Sequence, residues 1–244
     1  MAAELKLIIN SKLELDVVRL REDVICVCVD DFLANPQDLV DYACERANEF
    51  VMPERAYPGV VLPVPNGPLQ ELYRFIRGEM SRLFSFCRGG IDFHTQFSLA
   101  TVQPEDFTWV QRLCHSDPRL SRDRANFAGL LYLFDNPDLG GTGFYQWRDP
   151  DYWLEMSTRQ WADPEAGLEE LQERFQMFRD PPCYMTESNE AAELLDVAPA
   201  RFNRLIFYSG DVPHSAFIRQ PELLSADPSQ GRLTLNCFAS ALPK

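Results

Sequence analysis

Apolar residues recur along this chain in two rhythms. In the first third the helical rhythm leads. VICVCVDDFL (24–33) is a continuous apolar run closed by acids, the pattern of a buried strand. NPQDLVDYACERANEF follows as a helix, with Asn35 as N-cap, Pro36 at the first helical position and acids in the first turn. A proline- and glycine-rich loop, MPERAYPGVVLPVPNGP, separates it from PLQELYRFIRGEMSRLFSF. There Leu69, Leu72, Tyr73, Ile76, Met80 and Leu83 fall at helical spacing.

Beyond residue 90 the period shortens. Segments 92–102, 107–115, 124–134, 141–147, 204–210, 214–219 and 232–240 are short, β-branched or aromatic, and bounded by turn residues, as strands are. One helix interrupts them at 163–178, where Asp163 and Pro164 form a start signal. Helices first and then many strands predict an α+β fold around a β-sandwich or jelly roll. No internal repeat and no low-complexity linker divides the 244 residues, so a single domain is expected over 1–244. Its parts are an N-terminal strand with supporting helices (1–90) and a core (91–244) with a helical insert at about 148–200.

Charge narrows the partners. The net charge of −14 opposes phosphate backbones and anionic bilayers, so neither nucleic acid nor a membrane is an expected partner. No apolar run approaches the roughly 18 residues of a membrane span, and the N-terminus lacks a signal-peptide core. Seven cysteines are an odd number, and none is spaced C-x-x-C. Cys26 and Cys28 share one strand face, which suits buried free thiols and a reducing, cytoplasmic compartment.

Candidate chemistry concentrates in QRLCHSDPRL (111–120). His115 and Asp117 stand two apart, on one face if the segment is a strand, and Pro118 ends it at a rim. With 37 acids in the chain, a histidine two before an acid is a weak signal alone. A second piece is YSGDVPHSAF, which puts His214 at the start of a late strand. Two histidines and one carboxylate form the facial triad of non-haem Fe(II), leaving three positions open. A third is GRLTLNCF, which opens the last strand with Arg232; a guanidinium inside such a barrel requires an anion, which a small dicarboxylate provides bidentately.

In this order the pieces resemble the Fe(II)/2-oxoglutarate-dependent dioxygenases, most closely the prolyl-hydroxylase-like branch. The resemblance covers about residues 95–240. It is carried by H-x-D at 115–117, by GLLYLFDNP, by the Gly-Gly turn of LGGTGFYQW, by ARFNRLIFYSGDVPHSA and by Arg232. The entry strand and DDFL at 24–33 also fit the branch. The resemblance implies a double-stranded β-helix in which His115, Asp117 and His214 ligate Fe(II). It implies that Arg232 binds the distal carboxylate of 2-oxoglutarate with help from Tyr132. Asn236, four residues beyond Arg232, would line the co-substrate pocket. Gln103 stands where the branch often carries an aromatic residue. The 18 residues from His214 to Arg232 exceed the usual gap, with QPELLSADPSQ as an extended loop. The implied reaction consumes O2 and 2-oxoglutarate, releases succinate and CO2, and hydroxylates a small molecule, amino acid or peptide side chain. With Asp117 present, hydroxylation or desaturation is favoured over halogenation.

Plainer readings compete at each position. His115 and Asp117 could close a strand as a polar pair, His214 could be a hydrogen-bonded rim histidine, and Arg232 could be a salt-bridged strand residue. Tyr132 could be core, and His94 is read as structural. LGGTG lacks a following helix and reads as a turn rather than a phosphate loop. The YPG loop (57–59) is a turn or a wall of the entrance, and the helix at 163–178 is a solvated amphipathic helix, a lid or a homodimer surface. At the level of function, a non-catalytic jelly-roll binding protein and a zinc hydrolase using the same His/Asp/His set stay open.

Overall fold

The computed structural model describes residues 5–53, 57–65, 67–119, 121–159 and 164–244. Ten strands build two antiparallel sheets. They are β1 (Leu15–Arg21), β2 (Val24–Val29), β3 (Gly59–Val64), β4 (Asp92–Ala100), β5 (Ala125–Tyr132), β6 (Gly141–Trp147), β7 (Ala192–Ala198), β8 (Leu205–Ser209), β9 (His214–Phe217) and β10 (Arg232–Ala241). The large sheet runs β1-β2-β8-β5-β10-β4-β3, and the small one β7-β6-β9. From β4 onward the chain winds between them. It crosses from β4 to a bridge at His115 beside β9, returns to β5, crosses to β6 and β7, returns to β8, crosses to β9 and ends on β10. That winding is the expected double-stranded β-helix.

Alternation along the strands sorts side chains into two cores. Val27 and Val29 of β2, with Phe127, Leu131, Phe207, Leu233 and Leu235, face α1 (Pro36–Glu45) and the helical run after it. Cys26 and Cys28 face the small sheet with Tyr132, Phe144 and Tyr208. All seven cysteines carry free thiols. The second helical run is α2 (Gln70–Phe75), a π-helical turn (Ile76–Met80) and α3 (Ser81–Leu83), with the Ser81 hydroxyl bonded to the Arg77 carbonyl at 2.7 Å. No described helix is long and apolar enough to cross a membrane.

Three strands go beyond the sequence expectation. β1 and β3 form the two edges of the large sheet. Edges tolerate the charges of LDVVRLR and the proline of GVVLPV, since a proline there forfeits no ladder hydrogen bond. β7 lies inside the 148–200 insert, after helices α4 (Pro150–Arg159) and α5 (Pro164–Arg174). One expected strand is absent. Residues 107–115 form a 3-10 turn over Trp109–Arg112, fixed by a capping box between Thr108 and Gln111, and only His115 makes a ladder contact. Aromatic and β-branched composition mimicked a strand, and local capping decided otherwise. Asp163, the expected helix start, lies outside the described residues. The Gly-Gly turn leads into β6 with Gly140 at φ 81°, where a side chain would meet the Phe217 carbonyl.

The N-terminal entry is tied to the turn before β8. The Asn203 amide bonds both backbone groups of Leu33, at 2.9 and 2.8 Å. Asp30 takes Arg204 through both carboxylate oxygens (2.5 and 2.9 Å) and Arg201 at 2.9 Å. Hydrogen bonding to Arg204 holds the Asp30 carboxyl below the usual carboxylate range. A depressed pKa stabilises the fold above the unfolded value and loses that effect as pH falls through the folded one. Asp30→Asn is therefore expected to lower stability by about 1 kcal/mol, or roughly 2–4 °C in Tm. Thermal melts should show a constant gap to wild type at neutral pH that closes below about pH 4.

Candidate metal centre

The centre assembles where the winding closes. His115 and His214 exchange both backbone hydrogen bonds (3.0 and 2.9 Å), the only ladder contact of the 107–119 segment among the described residues. Their rings lie 4.6 Å apart. Asp117 follows on the same edge, its N–H donating to the Gly210 carbonyl at 2.7 Å. The candidate ligand atoms of His115, Asp117 and His214 all lie within 4.8 Å of one another. The His214 Nε2 to Asp117 Oδ2 distance is 3.9 Å.

Protonation fits ligation. His214 Nδ1 is 2.9 Å from the Val212 carbonyl. A carbonyl only accepts, so the proton sits on Nδ1 and Nε2 presents its lone pair to the cluster. Burial lowers both imidazoles from the ordinary value to about 4, and His214 adds to the effect on His115. By accessible surface His115 is exposed and His214 buried. Two neutral imidazoles and a carboxylate make a donor set suited to Fe(II).

Asp117 is cradled from behind. Asn126 donates its amide to the Asp117 carbonyl at 3.1 Å and accepts the Gly210 N–H on its own carbonyl at 2.8 Å. A Cβ on Gly210 would stand 2.7 Å from the Asn126 amide nitrogen and 2.9 Å from Asp117 Oδ2. Outside, Arg119 grips Asp211 through both carboxylate oxygens (2.7 and 2.5 Å), and the Ser116 hydroxyl donates to the Asp211 carbonyl at 3.0 Å. Tyr208 packs its ring on His214 at 4.9 Å and on Phe144 at 4.8 Å. Burial, aided by the charge of Asp117, raises its phenol pKa and keeps the proton on.

A buried guanidinium lies deeper between the sheets. Arg232 is 2% exposed and donates through Nη2 to the Gly141 carbonyl at 2.6 Å, while its Nε has no hydrogen-bond partner. Gly141 pairs with Phe217 on β9, and Phe144 pairs with His214, so the carbonyl that holds the guanidinium and the His214 of the candidate cluster lie three residues apart along one strand pair. At strand rise that is about 10 Å. Its charge reaches three buried phenols. The Tyr57 hydroxyl is buried and without a hydrogen-bond partner, and burial pushes it up to about 12 against the pull of Arg232. Tyr184 also feels the charge and donates to the Val102 carbonyl at 2.9 Å. Tyr132 feels it too, but its hydroxyl is engaged by Thr142 Oγ1 at 2.7 Å.

The remaining expected residues are differently placed. Asn236 shares the inner face of β10 with Arg232, with its amide on Ser98 Oγ (3.1 Å) and its oxygen accepting from Thr234 (2.7 Å). Gln103 donates to the Pro221 carbonyl at 3.0 Å, tying the start of a 3-10 turn to the 220s loop. His94 is exposed, stacked on Phe238 at 4.9 Å. Sequence reasoning did not single out Tyr208, Asn126 or Gly210, and saw Tyr57 only as part of a loop. In sequence the sole signals are a tyrosine before a proline-glycine turn and a glycine closing RLIFYSG.

The chain belongs to a family of unknown function, DUF6445, whose profile matches residues 11–239. No curated protein matches it. Among solved structures it is similar to a prolyl-4-hydroxylase of Pseudomonas putida, with 15% identity over 90% of this chain and 92% of that one and a TM-score of 0.41. It is similar to HygX of Streptomyces hygroscopicus, solved with nickel and 2-oxoglutarate bound, with 10% identity over 89% and 82% and a TM-score of 0.46. EvdO2 of Micromonospora carbonacea var. aurantiaca matches at 8% identity over 90% and 87%, with a TM-score of 0.43. At these distances no residue role or activity carries over, and function has to be argued from the site.

Gly210 offers a direct check on the cradle. Gly210→Ala should push the Asp117 carboxylate out of line and weaken divalent-metal binding by about 10–100-fold. Calorimetric titration with Mn(II) would measure it, and an unchanged affinity would show that the cradle does not position Asp117.

Proposed function

We propose that the chain is an Fe(II)- and 2-oxoglutarate-dependent oxygenase that hydroxylates a small molecule, amino acid or peptide side chain. The observation that carries this reading is the pairing of two features on one strand pair. One is the His115/Asp117/His214 cluster. The other, about 10 Å deeper, is the buried Arg232, whose Nε has no hydrogen-bond partner.

His115, Asp117 and His214 would hold the metal through three neighbouring ligand atoms, leaving one side for co-substrate and O2. Fe(II), with 2-oxoglutarate and O2, would supply the oxidising power for C–H hydroxylation, with succinate and CO2 released. The chain's own task is binding and exclusion of water. The free Arg232 Nε and the Tyr57 hydroxyl are unused donors beside a buried positive charge, and a carboxylate satisfies both. Tyr132 and Phe134 lie about the guanidinium, their ring centroids 6.0 and 5.8 Å from its carbon, and would shield it from water. Tyr208 and Phe144 form an aromatic wall behind His214. A zinc hydrolase built on the same triad would give Arg232 and Tyr57 no anion to hold.

Anaerobic titration with Fe(II) and then 2-oxoglutarate should raise the visible charge-transfer band of an iron–keto acid chelate, and His214→Ala should abolish it. Iron binding without the band would sink the co-substrate assignment, and failure to bind iron would sink the oxygenase reading. Tyr57→Phe should leave iron affinity unchanged and raise the 2-oxoglutarate concentration needed for half-saturation by about tenfold, the loss of one hydrogen bond to a charged group. Arg232→Met should raise it further.

A further inference from the structure

The segment that carries His115 is scarcely a strand. Among the described residues its one ladder partner is His214, and the preceding Trp109–Arg112 is a 3-10 turn. Two backbone hydrogen bonds leave its position to be fixed from elsewhere. On the C-terminal side the Arg119–Asp211 pair and the Asp117–Gly210 bond do so. On the N-terminal side the neighbour is the 148–200 insert, whose presence the oxygenase reading leaves unexplained.

That contact is specific. The Arg112 guanidinium donates to the carbonyls of Met177, Phe178 (3.4 Å) and Asp180 (2.9 Å), which end the 3-10 turn after α5. It also lies over the Phe178 ring, 5.4 Å from its centre. Leu113 is buried with Trp153, Phe175 and Phe178. Directly before His115, the Cys114 N–H faces the Met185 sulfur at 2.8 Å. Met185 is itself fastened to β6, its carbonyl accepting the Tyr145 hydroxyl at 2.7 Å. Carbonyls at the end of a helical turn carry partial negative charge, and only arginine spreads a permanent charge and several fixed donors across three of them.

We propose that Arg112 is a positioning residue for the metal centre, and that through it the 148–200 insert acts as a brace holding His115 and Asp117 in register with His214. This rests on the metal reading of the previous section. The brace replaces the ladder hydrogen bonds that a full strand at 107–115 would supply. Without it, His115 would keep its bond to His214 but pivot about it, and a ligand set that samples several geometries binds an ion more weakly.

The test uses the full chain and Mn(II), followed by calorimetry and by electron paramagnetic resonance of the bound ion. Arg112→Met should weaken Mn(II) binding by about 10–100-fold and broaden the bound-ion spectrum. Arg112→Lys should recover only part of the affinity. Met185→Leu conserves volume while removing the acceptor for the Cys114 N–H, and should weaken binding several-fold, so it decides the matter if Arg112→Met does not fold. Arg204→Met is the control. It breaks the Asp30 network far along β8 and should lower Tm while leaving Mn(II) affinity at the wild-type value. The brace is refuted if folded Arg112→Met, or Met185→Leu in its place, binds Mn(II) within twofold of wild type. It is equally refuted if Arg204→Met loses as much affinity, since affinity would then merely track stability. A wild-type protein that binds no Mn(II) would overturn the metal reading itself, and the brace with it.

Discussion

Two backbone hydrogen bonds between His115 and His214 close this structure. They join residues far apart in sequence and are, among the described residues, the one ladder contact between the segment after β4 and the small sheet. Because the partners in that bridge are the two histidines themselves, closing the fold and assembling the candidate ligand set are the same event. The surrounding contacts act on this bridge. Asn126 and Gly210 fix Asp117 behind it, Arg119 and Asp211 fasten it from outside, and Tyr208 and Phe144 pack beneath His214.

The second organising constraint is a positive charge inside an acidic protein. Placing Arg232 between the sheets strips a guanidinium of water, which is unfavourable unless its donors find acceptors. Gly141 supplies one acceptor through its carbonyl. The unused Nε and the phenol of Tyr57 leave donors beside a buried charge, where the proposed co-substrate carboxylate would bind. The net charge of −14 opposes the approach of an anion, so the proposed co-substrate would draw its affinity from this secluded end.

The N-terminal ninety residues and the insert both serve the core. β1 and β2 extend the large sheet on one side and β3 on the other, and Tyr57, just before β3, buries its hydroxyl within reach of the Arg232 charge. The helices of the insert are not a free lid. Leu171, Phe175 and Phe178 are buried against Trp153 and Leu113, so α5 is docked on the segment that leads to His115.

Much of the core was legible in the sequence. β6 and β10 fall where β-branched and aromatic runs bounded by glycines put them, Cys26 and Cys28 share one buried face, and the chain order of His115, Asp117, His214 and Arg232 was enough to suggest a site. These features are local, set by side-chain alternation, turn chemistry and proline. The edge strands β1 and β3 were not legible, because edges accept charge and proline that central strands reject. The segment 107–115 reads as a strand by composition yet holds a 3-10 turn, because the Thr108–Gln111 capping box closes it and the carbonyls of the insert take up the Arg112 donors. Tyr57, Asn126, Gly210 and Arg112 gain their roles only through partners distant along the chain. The sequence by itself determined which chemical groups this protein carries and the rhythm of its strands. Which of those groups meet, which donors are left without acceptors and what holds the ligand loop still were decided by the tertiary structure, since those properties belong to distances between segments and not to any segment alone.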